Sequence, residues 1–213
     1  MTDKKTAPAD LANPPQGWHV ANPDTAPAVS AAIQAGEPVR LEIEAGEAGW
    51  LAAPNLGDDG ELGIRVTDHD VEGDNELILH PPVLALGIGC ERGIDAAVLI
   101  AFVRETLAEA GLSPDSVAVV ASIDGKSAEP ALIALAADLD APLRFFSAPR
   151  LEQEAPRLAN PSDIVFRETG CHGVAEGAAL AAAGADGELL LPKVKSARAT
   201  CAVARAKSIA RQD

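Results

Sequence analysis

The sequence predicts an α/β protein: a three-layer domain on a mainly parallel sheet, preceded by a small acidic α/β segment. Three observations predict it. From residue 83 onward, short apolar runs alternate with stretches of helical period. Those runs are apolar throughout, as in strands covered by helices on both faces. Alanine supplies 43 of the 213 residues, against four Phe, two Trp and no Tyr, a composition that suits helices packed closely on a sheet.

The elements follow in order. Residues 1–16 are polar, Pro/Ala-rich and aperiodic and read as a disordered tail. A helix is predicted over 24–35, with Asp24 as N-cap, Pro27 in the first turn and Gly36 closing it. Strands over 38–43, 62–66 and 76–79, separated by Gly- and Asp-rich turns, complete a segment spanning 17–81. Pro81-Pro82 marks the boundary, because neither residue donates to a ladder or continues a helix. The second part, 82–206, opens with a buried strand over 83–88. Helix 95–109 follows, with Val98, Leu99, Phe102, Val103 and Leu107 at near-helical spacing and Gly111 after it. Then come strand 117–123, helix 129–139, strand 142–146, a short helix over 149–158 and strand 164–166. An alanine-rich helix over 174–183, closed by Gly184, precedes strands 189–191 and 199–204, read as an antiparallel hairpin. Residues 207–213 form a tail.

Charge narrows the partners. Seventeen basic against 32 acidic residues give a net charge of −15, with −11 of it in residues 1–83. Phosphate binding and docking on an anionic membrane both need an excess of cations, so neither nucleic acid nor membrane is an expected partner. No apolar run reaches the ~18 residues of a membrane span, and no secretory signal is visible, so a cytoplasmic location is expected. Cys90, Cys171 and Cys201 are an odd, widely spaced set, which argues for a reducing compartment and against a disulfide framework or a four-ligand zinc site. No metal is expected; His19, His69 and His80 have no companion at ligand spacing. With so few aromatic rings, a flat ligand must be held by its edges.

Three loops follow buried strands, and in open α/β sheets that edge is where ligands sit. The first, 87–93, reads Gly-Ile-Gly-Cys-Glu-Arg-Gly and opens a helix. Backbone N–H groups around Gly87, Gly89, Cys90 and Gly93 then face an anion beside Arg92. Its third glycine comes one residue late for a dinucleotide fingerprint and no P-loop is present, which disfavours a nucleotide-binding module; no cofactor is expected. The plain alternative is a tight turn without a ligand. The second loop gathers Ser122, Asp124, Lys126, Ser127 and Glu129; alternatively, Ser127 caps the helix and Glu129 favours its N-terminus. The third places Gly170, Cys171, His172 and Gly173 at a helix start. There a thiol is acidified and His172 is a candidate base, although a structural pair is the commoner arrangement. Finally, Lys193, Lys195 and Arg198 put three cations into one turn: a solvated hairpin end, or a local positive site for a carboxylate-rich molecule.

Taken together, these stretches resemble the C-terminal domain of cobalamin-biosynthesis proteins of the CobE/CbiG family. The similarity runs in order through GIGCERG (87–93), VASIDGKSAEPAL (120–132), PLRFFSA (142–148), GCHGVAEGAALAAAG (170–184) and LLLPKVKSARATCAVARA (189–206). The acidic segment resembles the central region of the longer CbiG proteins less closely, and their separate N-terminal domain has no counterpart. The resemblance implies work on the corrin ring. Long members are assigned as cobalt-precorrin-5A hydrolases, which open a lactone on the macrocycle and release acetaldehyde. Short CobE-type members imply a non-catalytic corrinoid-binding or carrier role. Both remain open. Expected partners are a corrinoid, other cobalamin-biosynthesis enzymes and a separately encoded N-terminal domain. Binding falls to the three loops with Ser122, Lys126, Lys193 and Lys195; Glu129, Asp124 and His172 are the bases available for hydrolysis.

Overall fold

The computed structural model describes residues 10–209. The first part is a five-stranded sheet with one helix. β1 (His19–Val20), α1 (Ala26–Ala35), β2 (Val39–Ile43), β3 (Leu56–Gly57), β4 (Leu62–Val66) and β5 (Glu76–His80) form it in the order β1-β5-β4-β2-β3. All neighbours are parallel except β1, which runs antiparallel to β5. Val29, Val39, Ile64, Val66, Leu77 and Leu79 fill its core. Leu11 is buried there too, at 1% exposure. The expected disordered tail therefore does not extend to residue 16; residues 1–9 lie outside the described ones, as do 210–213. The helix starts later than expected, because Pro23–Thr25 form a 3-10 turn that takes up Asp24; Gly36 closes it in the left-handed conformation, as predicted. Strands β1 and β3, two residues each, escape sequence patterning.

Pro81 and Pro82 carry the chain from β5 into the second sheet. Its elements are β6 (Leu84–Cys90), α2 (Ala96–Glu109), β7 (Val117–Ile123), α3 (Pro130–Asp138), β8 (Leu143–Phe146), α4 (Ala148–Glu152), α5 (Asp163–Thr169), α6 (Val174–Ala183), β9 (Glu188–Lys195) and β10 (Ala199–Arg205). The strand order is β8-β7-β6-β10-β9, with β6, β7 and β8 parallel and β10 antiparallel to both its neighbours.

Strand alternation divides the two faces. Leu84, Leu86 and Ile88 of β6 pack with Leu99, Val103 and Leu107 of α2 and Leu132 and Leu135 of α3. The opposite face carries small residues, Ala85, Ala121, Ala202 and Ala204, against the alanines of α6. The approach is so close that a Cβ on Gly87 would stand 1.8 Å from the Ala175 carbonyl oxygen. Gly87 is thus a packing residue, and the alanine content is the price of one helix lying almost on the sheet backbone.

One predicted strand is a helix. Residues 164–166 lie within α5, where Ser162 accepts the Val165 N–H at the start and Gly170 closes the end in the left-handed conformation. Three apolar residues cannot distinguish the two periods, and Ile164 and Phe166 remain exposed. The helix expected over 149–158 is likewise split into α4 and a 3-10 turn, Ala155–Arg157.

The sheets meet along a polar seam. The Ser113 and Asp70 N–H groups donate to the Asp68 and Gly111 carbonyls at 2.8 and 3.0 Å. Arg205 of β10 donates to the fully buried Asp68 carboxylate at 3.2 Å and to Glu188 at 3.0 Å. No helix among the described residues is long and apolar enough to cross a membrane.

Candidate functional site

A cleft of about 790 Å³ opens at the C-terminal edge of β6 and β7. The end of β6 supplies Gly89 and Cys90, the loop after it Glu91 and Arg92, and a 3-10 turn after β7 supplies Asp124, Gly125 and Lys126. Lys193, Lys195 and Arg198 come from β9 and the turn into β10. The remaining wall is the 162–175 stretch, through Ser162, Val165, Glu168 and Thr169 of the α5 arm and Gly173 to Ala175 at the start of α6. Arg198 ties two of these walls, donating to Glu91 at 2.8 Å while its carbonyl accepts the Glu91 N–H at 2.9 Å.

Several sequence candidates stand behind the cleft rather than on it. Ser122 is buried and its hydroxyl donates to the Ile88 carbonyl at 2.7 Å, joining β7 to β6. Glu129 precedes α3 without capping it; its buried carboxylate accepts the Gly93 N–H at 3.1 and 3.2 Å. That contact fixes the loop after β6 and engages the Gly93 N–H, one of the donors expected to face an anion. The start of α2 is occupied as well, since Asp95 accepts the Ala97 and Val98 N–H groups. Ser127 follows the 3-10 turn and caps no α-helix.

Cys171 and His172 each turn to other partners. The Cys171 thiol is buried against the Thr169 hydroxyl at 3.4 Å. His172 Nδ1 meets the Glu152 carboxylate at 2.8 Å, and its ring stacks on Phe166. The His172 N–H and imidazole together hold the Glu152 carboxyl below its ordinary pKa. Gly170 is the left-handed stop of α5. Cys90 does reach the cleft, but burial pushes its thiol up, Glu129 adds to this and Lys126 only partly opposes it, so the thiolate is disfavoured.

Two features were missed in the sequence. Ser162, Glu168 and Thr169 flank residues 164–166, whose reading as a strand hid the face that α5 turns to the cleft. Glu176 is the other: a carboxylate 1% exposed inside the alanine-rich α6. A single charge in an otherwise apolar helix was the available signal, because burying one requires partners. It accepts N–H groups from Ala159, Asn160 and Lys193 at 2.8 to 3.0 Å. Burial lifts its pKa, but the Asn160 side chain and the three backbone donors outweigh that and hold it below the ordinary value. Burial and the neighbouring Lys195 lower the pKa of Lys193, with Glu176 opposing.

The family model "Cobalamin synthesis G C-terminus" matches residues 84–204. Protein CobE of Sinorhizobium sp is 51% identical over 121 residues, 57% of this chain and 79% of that protein. The cobalt-precorrin-5A hydrolase of Priestia megaterium is 32% identical over 94% of this chain, which spans 59% of that enzyme's length. The crystal structure of CobE, a protein from the cobalamin biosynthetic pathway, matches with a TM-score of 0.55 and 45% identity, over 58% of this chain and 91% of that one. The chain therefore belongs to the CobE/CbiG family of cobalamin-biosynthesis proteins.

Proposed function

We propose that the cleft binds a carboxylated corrinoid intermediate of cobalamin biosynthesis. One observation carries this reading: five cations face three carboxylates there, in a chain whose net charge is −15. A local excess of positive charge in an acidic protein selects an anionic ligand. Arg92 follows β6, Lys126 follows β7, and Lys193, Lys195 and Arg198 come from β9 and its turn, so cations stand on three sides of the cleft, which suits a wide ring with carboxylates around its edge. The shortage of aromatic side chains agrees with edge-on recognition.

A second reading, lactone opening, is favoured by the match to the Priestia megaterium hydrolase over nearly the whole chain. In it Asp124, on the cleft, takes a proton from water as the water oxygen attacks the lactone carbonyl. Cleavage of the ring C–O bond leaves a carboxylate and a hydroxyl, and Lys126 steadies the developing oxyanion. Glu129 and His172 are each engaged elsewhere and contribute by holding loops. Acetaldehyde release from cobalt-precorrin-5A distinguishes hydrolysis from binding alone.

The binding reading is tested by visible-spectrum titration with cobyrinic acid, a stable cobalt corrin whose peripheral carboxylates are free. Lys126→Ala is expected to weaken binding by roughly 1–3 kcal/mol, the scale of a charge-assisted hydrogen bond. Added salt should weaken the wild type more than the variant. Unchanged affinity in the variant, with no salt dependence, would remove Lys126 from the site.

A further inference from the structure

Glu176 does more than satisfy a few buried donors. The β9–β10 ladder pairs Val194 with Cys201 and Leu191 with Val203, so Pro192 and Lys193 together oppose Ala202 alone. That is a β-bulge on an edge strand, a device that re-aims a side chain, and Pro192 fits it because it has no N–H to lose. The Lys193 N–H donates instead to Glu176 Oε1 at 2.9 Å. The same oxygen takes the Asn160 side-chain amide at 2.8 Å, while Oε2 takes the Ala159 and Asn160 backbone N–H groups at 2.8 and 3.0 Å. Lys193 Nζ closes the ring by donating to the Asn160 carbonyl at 3.0 Å. One carboxylate thus grips the root of two cleft walls: the strand bearing Lys193 and Lys195, and the arm that leads into Ser162 and α5.

We infer that Glu176 is a positioning residue that sets the gap between these walls and holds the Lys193 ammonium at the cleft's edge. A wide, multiply carboxylated ring then binds fully only while Glu176 grips both. This inference rests on the corrinoid reading of the cleft. Glu176→Gln keeps the volume but leaves one acceptor oxygen in place of two.

The test is a double-mutant cycle read by cobyrinic acid titration, with thermal melts to confirm folding. E176Q and K193A are each expected to weaken binding about tenfold, and the combined variant little more than K193A alone. In a K126A background the E176Q loss should multiply in full. Unchanged affinity in E176Q, or full multiplication with K193A, would overturn the inference. If E176Q fails to fold, Asn160→Ala, which removes one donor, enters the same cycle with the same expectations. If the wild type binds no cobyrinic acid, the corrinoid reading fails and amide hydrogen exchange of the unliganded protein decides the positioning role. E176Q should then lose about tenfold or more protection at Lys193, or at Ala159 and Asn160, while Leu191 keeps its own. Unchanged protection at all of these would overturn it.

Discussion

Gly87→Ala is expected to destabilise the protein by more than about 3 kcal/mol, the upper range for forcing volume into a packed core. The new methyl carbon would stand 1.8 Å from the Ala175 carbonyl oxygen and 2.6 Å from the Ala179 nitrogen. Both obstacles are backbone of α6, so no side chain can swing aside. Either the helix lifts from β6 or the strand bends, and both routes open the layer formed by Ala85, Ala178 and Ala202. Thermal melts followed by circular dichroism measure the loss. Gly57→Ala is the control, because a Cβ there meets nothing within 4 Å and its backbone is ordinary. A Gly87 variant melting with the wild type would refute the close approach of α6 to the sheet.

Arg205→Ala should be nearly as damaging for a different reason. Asp68 is fully buried, and Arg205, 27% exposed at its side chain, is its principal cation; His69 Nε2 lies further off, at 3.8 Å. Removing one partner of a buried pair leaves an uncompensated charge, which typically costs about 3–5 kcal/mol. Replacing both partners, Asp68→Asn with Arg205→Met, should recover much of the loss, since the unpaired charge is then gone. Denaturant melts of the single and paired variants test this. A single variant within about 0.5 kcal/mol of wild type would show that the seam between the sheets is not held by this pair.

These two positions show what a sequence discloses. Gly87 was legible as a special residue but was assigned to an anion loop; its role depends on α6, nearly ninety positions later, returning to lie on β6. Strand 117–123 and helix 174–183 were read with the bounds they have, because their patterns are long and undivided. Segment 164–166 was misread because an Ile-Val-Phe run has no period of its own, and the Ser162 cap and Gly170 stop decide for a helix. The loops after β6 and β7 and the turn after β9 line one cleft, but local spacing does not say which of their side chains face it. Asp124 and Glu129 sit five residues apart in one motif, yet only Asp124 lines the cleft, while Glu129 turns back to a glycine N–H from another loop. Which carboxylate meets solvent and which meets backbone is a tertiary property, and local spacing does not encode it.

An anionic corrinoid is expected to occupy the cleft at the ends of β6 and β7. Amide chemical-shift mapping of the 15N-labelled protein during titration with cobyrinic acid locates the ligand directly. The expected shifts fall on Gly89 to Arg92, Asp124 to Lys126, and Lys193 to Arg198, three segments far apart in sequence that all line this cleft. They should diminish as salt is added. Shifts confined instead to the groove between Glu44 and Lys207 at the seam, or absent from all three segments at saturation, would contradict the assignment.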